Sequence, residues 1–208
     1  MKVIGVSGPI GAGKSQIVQA LVRDQLLARD LGGKVIAVDA DAVLREARSN
    51  SADLQRAISA VVPGVLRSDG SVDSAVLSSI AFEQPDLLRR LETLQWPIVR
   101  TAIQEARLAG ERSGAALLLV EAIALLDAGL LDLMDGLLLI DAPREIRQAR
   151  LIKRGVGAQD FERREEAQRN LSARLLAAGA RPIDSRGSVE EGAVAAANAL
   201  RLLCSVGE

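Results

Sequence analysis

A glycine-rich segment that ends in a lysine and a serine lies close to the start of the chain. It fits the pattern G-x-x-x-x-G-K-[ST] and directly follows the apolar run of residues 3–6. Glycines allow consecutive backbone N–H groups to turn inward around a phosphate, while the lysine supplies a charge for the β and γ phosphates and the hydroxyl group is a ligand for Mg²⁺. The segment predicts a P-loop for a nucleoside triphosphate with Mg²⁺. The residues expected to bind it are Gly8, Pro9, Ile10, Gly11, Ala12, Gly13, Lys14, Ser15 and Gln16.

The same pattern could be a glycine-rich turn that contains Lys14 and Ser15 by chance. Its context argues otherwise, because Ile17 and Leu21 have the spacing of an amphipathic helix over residues 16–28. A strand before the loop and a helix after it are the context that a P-loop requires. We therefore assign Lys14 to the phosphates and to catalysis, and Ser15 to the metal ion.

Two carboxylates follow the second apolar run, residues 35–38. In an extended chain, alternation would place Asp39 and Asp41 on the same side, where one could orient Mg²⁺ and the other could accept a proton from an attacking hydroxyl group. Alternatively, Asp41 caps a helix and Asp39 is a solvated neighbour, because acidic residues favour helix N-termini. Glu121 and Asp141, also at the ends of apolar runs, could fix Mg²⁺-bound water or cap the next helix.

An arginine-rich stretch supplies cations. Arg147, Arg150 and Arg154 have the spacing of one helical face, from which they could neutralise the charge on a transferred phosphoryl group. The alternative is a solvated helix face that pairs with acids such as Glu145. We expect Arg150 and Arg154 to act in catalysis. Two glycines then separate this helix from a second charged helix, which predicts a helical hairpin, a lid over about residues 144–174.

The elements that must position these side chains alternate between apolar runs and helical periodicity. Fully apolar runs of four residues predict a parallel sheet that helices cover on both faces. The fold class is therefore α/β, a three-layer P-loop NTPase fold whose ligands are expected at the carboxyl ends of the strands. The runs lie at residues 3–6, 35–38, 117–120 and 137–140, and a fifth short strand is expected near 182–184.

The remaining segments complete a single domain over residues 1–208. The pattern of residues 42–104 is mainly helical, with interruptions at Pro97 and at two glycine turns, and predicts a helical insert that binds the acceptor. Residues 189–203 predict a helix packed on the sheet.

The composition excludes several kinds of chemistry. The chain contains no histidine and a single cysteine, Cys204, which rules out histidine acid–base catalysis, a Cys/His nucleophile pair and ordinary structural zinc. Carboxylates and cations must then carry any catalysis. A net charge of −1 and an aromatic content of 1% give no attraction or stacking surface for nucleic acid.

No apolar stretch approaches the ~20 residues that cross a bilayer, and no secretory segment is recognisable. Together with the single cysteine, these features predict a cytoplasmic protein that acts on a small molecule and binds neither membrane nor nucleic acid. The oligomeric state is left open, with a monomer slightly favoured.

Across almost its whole length the chain resembles a dephospho-coenzyme A kinase. The order and spacing of the matching segments carry this resemblance more than any one of them. The segments are Ile4-Gly5-Val6-Ser7-Gly8 with the P-loop, Val38-Asp39-Ala40-Asp41 with Arg45, Asp69-Gly70-Ser71-Val72-Asp73, Ile80-Ala81-Phe82, Leu91-Glu92, Trp96-Pro97-Ile98, Leu139-Ile140-Asp141, Arg150 with Arg154, Gln168 with Arg174, and Ile183-Asp184.

The resemblance implies transfer of the γ-phosphoryl group of ATP to the 3′-hydroxyl of the dephospho-CoA ribose. It implies that Asp41 is the general base, that Lys14 and Ser15 hold phosphate and Mg²⁺, and that Arg150 and Arg154 act from the lid. A central sheet, a helical CoA-binding domain and a lid are the implied architecture. The residues expected to bind the acceptor are Asp39, Arg45 and Trp96; alternatively, the Trp96 ring fills the core of the helical insert.

The chain departs from the family pattern mainly on the acceptor and lid side. Trp96 replaces a histidine, Leu171 replaces an arginine and Ser185 replaces an asparagine. Two alternatives stay open at this point: a divergent P-loop kinase for another small-molecule or nucleoside hydroxyl, and a nucleotide-binding regulatory protein without transferase activity. Asp41 and the lid arginines favour a kinase, because a protein that only binds nucleotide needs no proton acceptor.

Overall fold

The computed structural model describes residues 1–73, 76–77 and 84–205. The chain divides into two compact units, one formed by residues 1–38 with 106–208 and the other by residues 39–105. The Ile80-Ala81-Phe82 segment of the family resemblance lies outside the described residues.

A five-stranded sheet with the order β2-β3-β1-β4-β5 is the centre of the fold. β1 pairs in parallel with both β3 and β4, and β4 pairs in parallel with β5. Parallel neighbours need a crossover connection, and helices separate these strands along the chain. The predicted parallel sheet is thus confirmed, including its fifth strand. The strands are β1 (Lys2–Ser7), β2 (Lys34–Asp39), β3 (Ala115–Glu121), β4 (Gly136–Asp141) and β5 (Arg181–Asp184).

Helices of the sheet unit pack on these strands, as expected for the α/β class. The helices of both units, among the described residues, are α1 (Lys14–Arg23), α2 (Gln25–Asp30), α3 (Ala40–Asn50), α4 (Ala52–Val61), α5 (Pro85–Arg112), α6 (Arg144–Lys153), α7 (Ala158–Ala167), α8 (Leu171–Ala177) and α9 (Val189–Ser205), with a 3₁₀ turn at Leu131–Leu133.

The core of the sheet unit lies where α1 and α9 pack on the central strands. Its fully buried members include Ile4 in β1, Leu119 in β3 and Leu138 in β4, with Leu21 of α1 and Leu200 of α9 against them. Burial of side chains of this size stabilises by roughly 1.5–3 kcal/mol each. This packing fixes α1, and with it the loop between β1 and α1.

The single helix predicted over residues 16–28 is wrong, because the chain forms two helices that meet at Asp24. The Asp24 Oδ1 accepts hydrogen bonds from the backbone N–H groups of Leu26 at 2.9 Å and Leu27 at 3.0 Å. An aspartate with extended backbone that binds these groups is an N-cap. It therefore begins α2 where periodicity alone continues α1.

The unit of residues 39–105 has a hydrophobic core of its own. Ile58 of α4 is fully buried there, and Leu54, Val65 and Leu91 pack in the same cluster. Ser51 begins α4, because its Oγ accepts the backbone N–H of Leu54 at 3.2 Å.

The interruption expected at Pro97 is also wrong, since this residue lies inside the 28-residue helix α5. A proline in a helix interior costs about 3 kcal/mol through a lost hydrogen bond and a steric clash. Leu91, Gln95, Val99 and Ile103 recur every four residues along this helix and are all buried, whereas Pro97 is exposed. Burial of that face offsets the local cost of the proline.

None of the helices within the described residues is long and apolar enough to cross a membrane.

We expect Ile58→Ala to lower the free energy of unfolding by about 2–5 kcal/mol, because it empties a fully buried site. Ile152→Ala removes the same atoms from a helix residue that is 54% exposed and should change the free energy by less than about 0.5 kcal/mol. Urea unfolding followed by circular dichroism measures both values. Equal losses in the two variants would contradict the assignment of Ile58 to a packed core.

Candidate active site

The loop that leaves β1 is packed too tightly for side chains at two of its glycines. A Cβ atom on Gly8 would lie 2.0 Å from the carbonyl oxygen of Ile140 in β4, and one on Gly11 would lie 2.7 Å from that of Arg147 in α6. Their φ angles are 150° and 79°, in the region that favours glycine. These glycines are therefore needed for the close approach of the loop to β4 and α6, as well as for phosphate binding.

Lys14 begins α1, and its side chain folds back over the loop. The residue is 7% exposed, and its Nζ donates to the carbonyl oxygens of Gly8 at 2.8 Å and Pro9 at 3.2 Å. The loop thus holds its own ammonium group close by, as phosphate binding by a P-loop requires.

Ser15 and Glu121 bring two oxygen ligands together. Ser15 is exposed in the first turn of α1, and its Oγ donates at 2.5 Å to Oε1 of Glu121, the last residue of β3. Magnesium prefers oxygen ligands, and in P-loop proteins a hydroxyl group, a carboxylate and the phosphates hold it together. This donor set fits Mg²⁺, with Glu121 beside the predicted ligand Ser15.

Helix α6 runs along the loop and presents one arginine to it per turn. Arg147 Nη1 donates to the carbonyl oxygen of Ile10 at 3.4 Å, and Arg150 Nη1 donates to that of Ala12 at 3.3 Å. Arg154, the residue that ends α6, donates from Nη2 to Oε1 of Gln16 at 3.4 Å. The three arginines with helical spacing thus meet the loop and the start of α1, rather than forming only a solvated face.

Arg150 and Arg147 differ in their further partners. Arg150 Nη2 donates to the carbonyl oxygens of Ser185 at 2.6 Å and Gly187 at 3.2 Å, which follow β5. Arg147 is 6% exposed and forms a two-fold hydrogen-bonded ion pair with Glu165 of α7. These hydrogen bonds from Arg147 lower the pKa of the Glu165 carboxyl group below its ordinary range, so the pair stays charged at neutral pH.

Two further residues, which sequence reasoning did not assign to the site, hold the loop. Gln168, which follows α7, accepts the backbone N–H of Ile10 on its Oε1 at 2.8 Å. The Ser185 hydroxyl group lies 2.6 Å from the carbonyl oxygen of Ala12 and 2.9 Å from that of Asp141. Gln168 belongs to a segment of the family resemblance and Ser185 is one of the departures from it, but sequence spacing carries no signal for contacts with Ile10 and Ala12 across more than 150 positions.

Asp141, a possible metal-water ligand from the sequence, is engaged within the fold. Its Oδ1 accepts the N–H of Ala142 at 2.8 Å and its Oδ2 accepts the Ser172 hydroxyl group at 2.7 Å. Arg147 Nε lies 3.7 Å from Oδ1. This carboxylate joins the end of β4 to α6 and α8.

A cavity of about 270 Å³ adjoins the loop on the β3 side. Two of its lining residues touch the loop region directly, because Gln168 binds Ile10 and the carbonyl oxygen of Ile123 accepts the Ser7 hydroxyl group at 3.2 Å. Arg174 of α8 and Asp127, which both line it, form an ion pair with Arg174 Nη2 at 2.6 Å from Asp127 Oδ1. The lining residues are Ile123, Ala124, Asp127, Glu166, Ala167, Gln168, Arg169, Asn170, Leu171 and Arg174.

Asp39, which ends β2, and Asp41 do not lie on one side of an extended chain as expected, because α3 already begins at Ala40. Asp39, and not Asp41, is the N-cap: its Oδ1 accepts the N–H of Ala42 at 3.0 Å. Asp39 retains the extended backbone that an N-cap needs, with φ −95° and ψ 108°. Its Oδ2 lies 3.9 Å from Nη2 of Arg45, one turn into the helix.

The other candidates for base and acceptor contacts belong to the same unit of residues 39–105. Asp41 is exposed in the first turn of α3, where a carboxylate is favoured by the helix dipole. Trp96 is half-buried on α5 and Arg45 is exposed on α3. The roles of these residues toward an acceptor stay predictions.

Comparison with known proteins gives a consistent family. The family model for dephospho-CoA kinase matches residues 2–190. A dephospho-CoA kinase of Geobacter metallireducens is 36% identical over 194 residues, covering 92% of this chain and 91% of the relative. One of Corynebacterium jeikeium is 33% identical over 192 residues, covering 92% and 94%.

Solved structures agree on the architecture. A crystal structure from Thermus thermophilus superposes with a TM-score of 0.75 at 29% identity and covers 96% of this chain and 95% of that one. A dephospho-CoA kinase from Campylobacter jejuni, at 20% identity and a TM-score of 0.63 over all of both chains, shares the fold. With a family model that spans nine-tenths of the sequence and relatives above 30% identity over most of their length, this chain belongs to the dephospho-coenzyme A kinase family.

Proposed function

We propose that this protein transfers the γ-phosphoryl group of ATP to the 3′-hydroxyl of dephospho-CoA and produces coenzyme A and ADP. The observation that carries the proposal is the P-loop of a chain that belongs to this kinase family, with Lys14 folded over the loop carbonyls and Arg150 on Ala12. Family membership favours dephospho-CoA over the other acceptors that the sequence leaves open.

On the donor side, catalysis is electrostatic. Lys14 and the loop N–H groups bind the β and γ phosphates, and Arg150 and Arg154 balance the charge that develops on the transferred phosphoryl group. Arg150 is held at the loop by hydrogen bonds to carbonyl groups on both sides. This arrangement orients the guanidinium before the phosphates arrive, so less reorganisation is needed in the transition state.

Ser15 and Glu121 would hold Mg²⁺ at the end of β3. When bound, the ion neutralises phosphate charge and fixes the geometry of the triphosphate. Glu121 is 9% exposed and accepts the Ser15 hydroxyl group, so the hydroxyl group is oriented in advance.

Asp41 is the proposed general base for the acceptor hydroxyl group. Support comes from its exposed carboxylate and its position in the first turn of α3, two residues after β2 ends, together with the family resemblance. With no histidine in the chain, a carboxylate is the side chain available to accept this proton near neutral pH.

The cavity beside the loop is the proposed entry for the anionic part of the acceptor. Arg174 and Arg169 line it, and Arg174 pairs with Asp127 while both side chains are about half exposed, 49% and 47%. An acceptor phosphate could replace the Asp127 carboxylate on Arg174 at little cost, since exposed ion pairs contribute about 0–1 kcal/mol. Arg169 would supply the lid cation that is absent at Leu171.

A cytoplasmic setting and the absence of nucleic-acid partners are parts of the same proposal. The first is supported by the single cysteine, and the second by the balanced charge and the low aromatic content of the sequence.

We expect purified protein to form CoA from ATP, Mg²⁺ and dephospho-CoA, with the product identified by mass. Lys14→Ala should lower kcat/KM by at least about 10²-fold, because one preorganised donor to the transferred group contributes that much. Lys34→Ala, which removes an exposed lysine at the start of β2, is the control and should stay within about twofold. ATP consumption without CoA would indicate another acceptor.

Asp41→Asn should lower kcat by about 10²–10⁴-fold, the usual contribution of a general base, and leave ATP affinity unchanged. Asp53→Asn is a matched control, because Asp53 is an exposed acid in the first turn of α4. Steady-state kinetics and calorimetric ATP titration separate the two quantities. A rate for Asp41→Asn equal to that of the control would exclude Asp41 as the base.

Arg174→Ala should raise the KM for dephospho-CoA about tenfold, since it removes a charge-assisted hydrogen bond to the acceptor, and should leave the KM for ATP within about twofold. The control is Arg201→Ala, which breaks a similar ion pair with Asp30 away from the cavity. Initial-rate kinetics with each substrate varied give both constants. An unchanged KM for dephospho-CoA would contradict this placement of the acceptor.

A further inference from the structure

Arg147 uses most of its hydrogen-bonding capacity at the junction of three elements. Its Nε donates to the carbonyl oxygen of Ala142 at 2.9 Å, and its two Nη atoms donate to the Glu165 carboxylate at 2.5 and 2.6 Å. Nη1 also donates to the carbonyl oxygen of Ile10 at 3.4 Å. A guanidinium group has five N–H donors in a fixed fork, and four such bonds therefore leave it little freedom.

Both backbone polar groups of Ile10 form hydrogen bonds with residues of α6 or at the end of α7. Its carbonyl oxygen receives Arg147, and its N–H donates to Gln168 at 2.8 Å. Gln168 lies one turn after Glu165, so the Arg147 partner and the Ile10 N–H acceptor lie close together at the end of α7. The next residue, Gly11, has no room for a side chain because the backbone of Arg147 lies against it. The conformation of the loop at Ile10 is thus tied to the α6–α7 contact.

A second ion pair between α6 and α7 differs from the Arg147–Glu165 pair in its exposure and in its contacts. Arg144 pairs with Glu162, three residues before Arg147 and Glu165 respectively, and its guanidinium lies 5.3 Å from the ring centroid of Phe161. The side chains of that pair are 43% and 54% exposed, whereas the side chains of Arg147 and Glu165 are 8% and 22% exposed. Arg144 contacts Glu162 and Phe161 of α7, whereas Arg147 also binds the loop.

Loss of the Glu165 charge would disturb the loop more than it would disturb the helix contact. The buried guanidinium would keep Asp141, whose Oδ1 lies 3.7 Å from Nε, as a nearby carboxylate. A buried charge moves toward its remaining partner, because an unpaired charge in a low-dielectric site is costly. Rotation toward Asp141 would draw Nη1 away from Ile10, while Arg144, Glu162 and Phe161 would still hold α6 to α7.

We propose that Arg147, oriented by Glu165, is a positioning residue of the phosphate loop, which fixes the Ile10 backbone and thereby sets the affinity for ATP. The effect of this role on the kinetics rests on the proposed function. A measurement of ATP affinity tests the role itself, because it needs no acceptor. We expect Arg147 to act on the donor side, because its partners Ile10, Ala142, Asp141 and Glu165 do not line the cavity proposed for the acceptor.

The test is Glu165→Gln, which keeps the shape of the side chain but removes the charge and one acceptor of the two-fold pair. We expect the Kd for ATP, measured by calorimetry with Mg²⁺, to rise about tenfold, in line with the loss of a charged hydrogen bond. The KM for ATP should rise in parallel, with the KM for dephospho-CoA within about twofold. Glu162→Gln is the matched control and should leave all three constants within about twofold.

A residue that merely stabilises the fold gives a different pattern. Glu165→Gln with a lower melting temperature and an unchanged Kd for ATP would overturn the proposal, as would equal increases in the KM of both substrates. If Glu165→Gln does not fold, Arg147→Lys is the second variant. It keeps the charge but cannot form the two-fold pair, and the same rise in the Kd for ATP is expected. Failure of wild-type protein to form CoA would overturn the proposed function and leave the binding test intact.

Discussion

The phosphate loop depends on one close approach, between the end of β1 and the end of β4. At Gly8 the backbone comes so near the carbonyl oxygen of Ile140 that a Cβ atom would lie 2.0 Å from it. Because β4 is parallel to β1, the helix that follows β4 begins at the same edge of the sheet, directly beside the loop. Any side chain at Gly8 would separate the two strands and, with them, the loop from the arginines of α6.

The arginines of α6 hold this loop through hydrogen bonds to its backbone carbonyl groups. Arg147 and Arg150 donate to the carbonyl oxygens of Ile10 and Ala12. A charged group taken out of water must find partners of this kind, since a missing one costs several kcal/mol. Within the described part of the chain, no buried side-chain nitrogen or oxygen is left without a hydrogen-bond partner. The same bonds that satisfy the arginines therefore fix the backbone that faces the phosphates.

Local patterns explain where sequence reasoning succeeded and where it did not. The apolar runs identified four of the strands, because strands of a parallel sheet covered by helices favour apolar residues, and the fifth was expected as a short strand near residues 182–184. Asp24 divides a predicted helix, since a side-chain cap can begin a new helix without changing the apolar spacing. Pro97 lies within α5, because burial on one face of a long helix offsets a local cost. At Asp39 and Asp41 the difference was two residues in where α3 begins, because Asp39 rather than Asp41 is the N-cap.

By itself, the sequence determined the P-loop, the parallel α/β fold and the family, because each depends on residue types at fixed short spacings along the chain. The tertiary structure decided which charged and polar side chains meet. Gln168 binds Ile10, Ser185 lies against Ala12, and Ser15 bonds Glu121, in each case across more than 100 positions. Hydrogen bonds act only over about 3 Å, and sequence separation carries no information on that scale. Only the folding of β3, α7 and the segment after β5 around β1 brings these groups within reach.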